Sequence, residues 1–175
     1  MNQIRNILIA ALAVTSVASA AHAQASASTN ASGSITIFRP ITVTKTSDLA
    51  FGTIVRPGSG SGTVTIAQAD GARTVTGGIA ALAIGTTPGR ATFSVGGEGG
   101  QTYSISTPAS FDMTRTGGSE TLTVTLTPTA TSGTLSSTLG NAGTGTYGVG
   151  AQVTVAATTA TGAYTGSFTS TVAYN

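Results

Sequence analysis

The chain has no cysteine and no tryptophan, one histidine, one lysine, 5% aromatic residues and 7% charged residues. Each scarcity removes a class of function. Without cysteine there is neither a disulfide nor a thiol nucleophile, and stability has to come from packing and strand pairing alone. Zinc sites are built mainly from Cys and His, so none is expected, and no cofactor or metal site is predicted. The histidine is His22, inside a segment that reads as a leader, so a histidine general base is also excluded from the exported chain. The acids Asp48, Asp70, Glu98, Asp112 and Glu120 stand far apart, each in or beside a predicted turn or strand end, which argues against a glycosidase pair. Lys45 is the one candidate for a Ser–Lys dyad, and it reads better as a solvated strand-edge charge. The run 57–62 is glycine-rich but has no following lysine or helix, so it fails as a phosphate loop and reads as a mobile loop. No enzyme activity is expected.

The leader is read from its chemistry. Arg5 precedes an apolar run from Ile7 to Val14, small residues follow, and Ala21-His22-Ala23 is an A-x-A cleavage site before Gln24. The run is shorter than the ~20 residues that span a bilayer, so residues 1–23 are predicted to be a removed signal peptide. No membrane span is expected after cleavage. There is no twin arginine, and without cysteine there is no lipidation at the new N-terminus. The expectation is export by the general secretory route to the periplasm, then the cell surface or the medium. After cleavage the cations Arg39, Lys45, Arg56, Arg73, Arg90 and Arg115 are scattered singly, so neither nucleic acid nor an anionic membrane is an expected partner.

What the chain does have is Thr, Ser, Ala, Gly and Val in alternating runs separated by glycine. Apolar residues do not recur at helical spacing; alternation predicts short strands. These are expected over 34–44 (kinked or at an edge because of Pro40), 63–67, 91–95, 102–107, 120–127 and 149–157, with 163–175 as a strand running to the end of the chain. Residues 96–100, Gly-Gly-Glu-Gly-Gly, read as a flexible hairpin loop. About seven short strands in one domain point to an all-β sandwich or barrel. Residues 24–33 hold only small and polar side chains. They read either as a disordered leader or as a flexible arm whose Ala25, Ala27 and Ala31 share the parity of Ile35 and Ile37 and suit a narrow groove. The domain itself is placed at 34–175.

The final segment alternates Tyr164, Gly166, Phe168, Ser170, Val172 and Tyr174 on one face. With its penultimate Tyr174 and with Gly162 fourteenth from the end, it resembles the C-terminal strand of chaperone–usher pilus subunits. Gly150-Ala151 and residues 161–168 are similar to the end of spore-coat-protein-U-like secreted families. Residues 41–52 resemble a related group of Gram-negative secreted proteins known only as a domain of unknown function. Many pilins and coat-U proteins carry a disulfide; this chain departs from them in having no cysteine.

The resemblance implies an immunoglobulin-like (pilin-like) β-sandwich lacking one strand, with a groove that a periodic apolar strand fills. It implies a donor arm carrying Ala25, Ala27, Ala31, Ile35 and Ile37, and a groove and chaperone-recognition strand carrying Gly162, Tyr164, Phe168, Val172 and Tyr174. The partners implied are further copies of the chain, a periplasmic chaperone and an usher, and the function is that of a structural or adhesive subunit of a fibre or coat. Two other readings stand beside it. One is a complete, monomeric secreted sandwich that binds carbohydrate or a surface. The other is an outer-membrane barrel, which the few aromatics and the terminal Asn175 disfavour.

Overall fold

A computed structural model describes residues 25–175, and among them there are thirteen strands and no helix. The strands are β1 (Thr42–Ser47), β2 (Thr53–Val55), β3 (Ser61–Ile66), β4 (Arg73–Val75), β5 (Ala80–Leu82), β6 (Ala91–Glu98) and β7 (Thr102–Ser106). They continue with β8 (Ser110–Arg115), β9 (Thr121–Pro128), β10 (Ser132–Thr134), β11 (Ala142–Ala156), β12 (Tyr164–Thr165) and β13 (Thr171–Tyr174). The predicted signal cleavage at Ala21, Ala23 and Gln24 lies outside the described residues. The chain divides after Ile35. Residues 25–35 carry no helix or strand, and every one is exposed.

The strands form as the alternation dictates. In β9, Leu122, Val124 and Leu126 are buried or half-buried while Thr121, Thr123, Thr125 and Thr127 are exposed. β-Branched side chains suit such a half-buried pleat. β11 is the axis of an eight-stranded antiparallel sheet ordered β1-β6-β11-β9-β8-β12, with β3 and β4 added beside β11. Its first half pairs with β6, from Ala142↔Glu98 to Val149↔Ala91. Its second half pairs with β3 and with β9. Gly150 marks the handover: a Cβ there would lie 2.5 Å from the backbone nitrogen of Gln68 and 2.5 Å from the carbonyl oxygen of Ile66. A side chain would push β3 and its continuation off the axis.

A three-stranded sheet, β10-β7-β13, faces the large one, and a separate two-stranded sheet pairs β2 with β5. Tyr103 and Ile105 of β7 share one core with Phe93, Val95, Val124, Tyr147, Val149 and Val153 of the large sheet. The rings of Phe93 and Tyr147 stack at 4.9 Å. The architecture is an all-β, immunoglobulin-like sandwich.

Several local expectations are corrected. Pairing over the predicted strand 34–44 begins only at Thr42, since residues 36–41 form no ladder and Pro40 has no N–H to donate. Residues 96–100 do not close a hairpin: β6 runs on to Glu98, and the chain then turns at Gly99 and Gly100 to carry β7 into the other sheet. The predicted loop 57–62 gives up Ser61 and Gly62 to β3. The terminal strand is two strands. Tyr164–Thr165 pairs with β8, and Thr171–Tyr174 pairs with β7 in the opposite sheet. Gly166 sits against the carbonyl of Asp112, the last close approach before the chain leaves the large sheet.

Gly150→Ala is expected to lower unfolding stability by roughly 1–3 kcal/mol, because the added methyl meets backbone that cannot step aside. Gly58→Ala, which meets nothing within 4 Å, is the control and is expected to stay within about 0.5 kcal/mol of the parent. Urea unfolding of both variants checks this; equal midpoints would contradict β11 as the axis.

Candidate functional site

A strand inside a sheet has neighbours on both sides; among the strands that end a sheet order, β1 and β13 lie near each other across the two sheets. β1 ends the order of the large sheet, and β13 ends the order of the three-stranded one. Among the described residues, no backbone hydrogen bond reaches the outer edge of either. All six residues of β1 are exposed, including the inward-parity Val43, which is 37% exposed. An apolar side chain on a sheet's inner parity that still meets solvent marks a place where the second layer is incomplete.

A trough occupies that place. Near the end of β1 it opens into a cavity of about 300 Å³, floored by Phe93, Phe111, Met113 and Phe168 and walled by Leu49 and Phe51. Phe168 meets Phe111 at 5.3 Å and Phe93 at 6.3 Å between ring centroids. Lys45 and Asp48, paired with each other, stand on the rim. A second cavity of about 520 Å³ adjoins it through Leu49, Phe51, Met113 and Tyr164, and continues over Leu122 and Val153 toward the two-stranded sheet.

Toward the start of β1, past the residues that line the trough, Tyr174 of β13 meets the lead-in to β1. Its hydroxyl accepts from the backbone N–H of Glu98 at 2.6 Å and donates to the carbonyl of Arg39 at 2.9 Å. Its ring meets Phe38 at 5.7 Å. Glu98 is the one buried charged residue among the described residues, 2% exposed. Its carboxylate accepts from the Gly140 N–H, from Arg39 N at 3.3 Å and from Arg39 Nη1 at 2.8 Å. A carboxylate is buried only when its lone pairs are met in this way. The Gly140 bond, then those of Arg39, hold the Glu98 carboxyl below its ordinary value of 4.5, against the opposing effect of burial.

Of the predicted groove residues, Tyr164 and Phe168 line the first cavity. Tyr164 lines both cavities and donates its hydroxyl to Ala160 O at 2.8 Å. Phe168 floors the first cavity, and Val172 and Tyr174 pack against the core from β13. Gly162 lies apart from these, on the wall of the second cavity at φ 147°. The predicted arm residues Ala25, Ala27, Ala31 and Ile35 are exposed and unpaired in strands, and Ile37, in the unit that follows, is 78% exposed. Sequence reasoning missed Phe38, Arg39 and Glu98, taking Glu98 for a loop acid. It also missed Phe111 and Met113, although the alternation of residues 110–115 carries their signal. Among the described residues no group of three metal-ligating side chains comes together.

The depressed carboxyl of Glu98, and that of Glu120 beside Arg115, set the sign of the acid response. A carboxyl whose folded pKa lies below its unfolded value contributes stability that is complete above the unfolded value and is lost as pH falls through the folded one. Unfolding free energy is therefore expected to hold near neutrality and to decline below about pH 4.5. Glu98→Gln is expected to be less stable at neutral pH and to show a shallower acid decline. Urea unfolding between about pH 7 and about pH 3 tests this; a decline as steep as the parent's would contradict the role given to Glu98.

No curated protein and no solved structure matches the chain. A family profile does match it, over residues 41–174, from the lead-in to β1 through the end of β13. The chain therefore belongs to the family described as domain of unknown function (DUF4402).

Proposed function

We propose that the protein is a structural or adhesive subunit of a surface fibre or coat, and that copies join by strand donation. The observation that carries this reading is the pair of sheet-end strands β1 and β13, with an apolar trough open between the end of β1 and Phe168, which leads into β13. Edges of this kind are normally covered, charged or shortened. Here Lys45 is the only charge on β1, and the apolar Val43 is left exposed. An extended segment laid in the trough gains backbone hydrogen bonds from the edges and buries alternate side chains in the floor.

The donor is the region 25–37 of another copy. It is exposed, lacks proline and charge, and carries Ala25, Ala27, Ala31, Ile35 and Ile37 on one parity. Burying each isoleucine is worth about 1.5–3 kcal/mol, and the alanines add much less. Ile35 and Ile37 are thus the anchors, and the small residues let the strand fit where the trough is narrow. Before joining, an exposed apolar trough invites aggregation, so a periplasmic chaperone that covers it and an usher that releases it are the partners this reading assigns. Export by a removed leader (residues 1–23) brings the subunit to the periplasm and then to the cell exterior, with no enzymatic role.

The test compares residues 24–175 with the same chain lacking 24–33, by size-exclusion chromatography and electron microscopy. Oligomers or fibres that are lost with the arm are the expected result, and Ile35→Asp with Ile37→Asp should reduce assembly at least tenfold, given the burial lost. A stable monomer in both lengths would overturn strand donation.

A further inference from the structure

The trough is not symmetric. At Phe168 it is open, and beyond it, toward the start of β1, polar contacts bridge β13 to the lead-in of β1. The bridge is built from residues distant in sequence. Tyr174, at the end of β13, donates to Arg39 O, in the lead-in to β1. Arg39 is held in turn by the Glu98 carboxylate at the end of β6 and donates its Nη2 to Gly140 O at 3.0 Å. Gly97 has no side chain where the Tyr174 hydroxyl lies, and any Cβ there would overlap that oxygen. The one buried charge among the described residues is thus devoted to fixing the lead-in of β1 against the last residues of the chain.

We propose that Phe38, Arg39, Glu98 and Tyr174 form a clasp that holds the trough closed at this end, an autoinhibitory contact made by the chain on its own groove. The proposal rests on the reading of the trough as a strand acceptor. A strand that pairs with both edges has to run between the lead-in to β1 and β13, and the hydrogen bond from Tyr174 to Arg39 O crosses that path. Seating a strand along the whole trough therefore requires this bond to open and the Phe38 ring to move from Tyr174. With the clasp shut, an incoming strand reaches the Phe168 cavity and stops short of Tyr174. Glu98 acts as a positioning residue here, because it holds Arg39 and touches no incoming strand.

The clasp is tested with the full chain and a fluorescent peptide of residues 25–37, following the rate of peptide uptake together with hydrogen exchange of residues 171–175. Tyr174→Phe keeps the ring and removes the bridging hydroxyl. Phe38→Ala removes a ring that is 41% exposed and leaves the core intact. Both are expected to take up peptide about tenfold faster than the parent, the scale of one lost hydrogen bond for Tyr174→Phe and of one lost aromatic contact for Phe38→Ala, and to exchange faster at 171–175. Uptake by the parent with an equal or slower rate in both variants would overturn the clasp while leaving the acceptor reading standing. Uptake by none of the three proteins would remove the acceptor reading and the clasp with it.

Discussion

Backbone groups at a sheet edge are half satisfied, and in this chain little else competes with that constraint. No cysteine is present to staple the fold, and charged residues are too few to build networks across it. Cohesion comes from ladders meeting at β11, where β6, β3 and β9 align on fifteen residues, and from the apolar face they share. The strands that reach β11 directly supply much of the buried core. β1 and β13, neither of which pairs with β11, keep an unpaired edge, and the trough opens beside the end of β1. The candidate site is thus a by-product of the same pairing rule that makes the rest of the domain stable.

Polar chemistry follows the same division. Outward positions on the large sheet are mostly threonine, whose hydroxyls pair across strands, as Thr63 does with Thr76 at 2.6 Å and Thr123 with Asp112 at 2.6 Å. Such a face is wettable without charge. Charge is used sparingly and for fastening. Arg73 donates to the carbonyls of Phe51, Thr53 and Leu82 and ties the two-stranded sheet to β4. Arg115 forks onto Glu120 at 2.7 and 3.0 Å. Glu98 does the same work in a buried setting, where a missing partner is costly.

Much of this was legible in the sequence, for physical reasons that can be named. Alternation in residues 121–128 and the parity of Tyr164, Phe168, Val172 and Tyr174 follow directly from the period of a strand, and these side chains point inward as that period requires. The break between β12 and β13 was not legible, because parity survives a change of sheet and only the pairing partner differs. The role of Glu98 was hidden by its neighbours: glycines on both sides read as a loop tip, whereas Gly97 is there to admit Tyr174. Arg39 and Phe38 gave no pattern at all, since they lie in an unpaired segment and act through contacts to residues distant in sequence. The walls Leu49 and Phe51 come from a connection between strands, where periodicity carries no information.

The most direct measurement uses the absence of native cysteine. Single cysteines are placed at Ala27, Ala31 or Ile35 in one copy of the full chain and at Val43 in another, then mixed pairwise and oxidised. Neighbouring inward-parity positions on paired strands lie about 4.5–5.5 Å apart between Cβ atoms, close enough for a disulfide. The account predicts a mixed disulfide dimer for one of these arm positions, and none when the second cysteine is at Thr125, on the outer face. Yields at Val43 no higher than at Thr125 for all three arm positions would contradict the claim that the trough takes a strand from another copy.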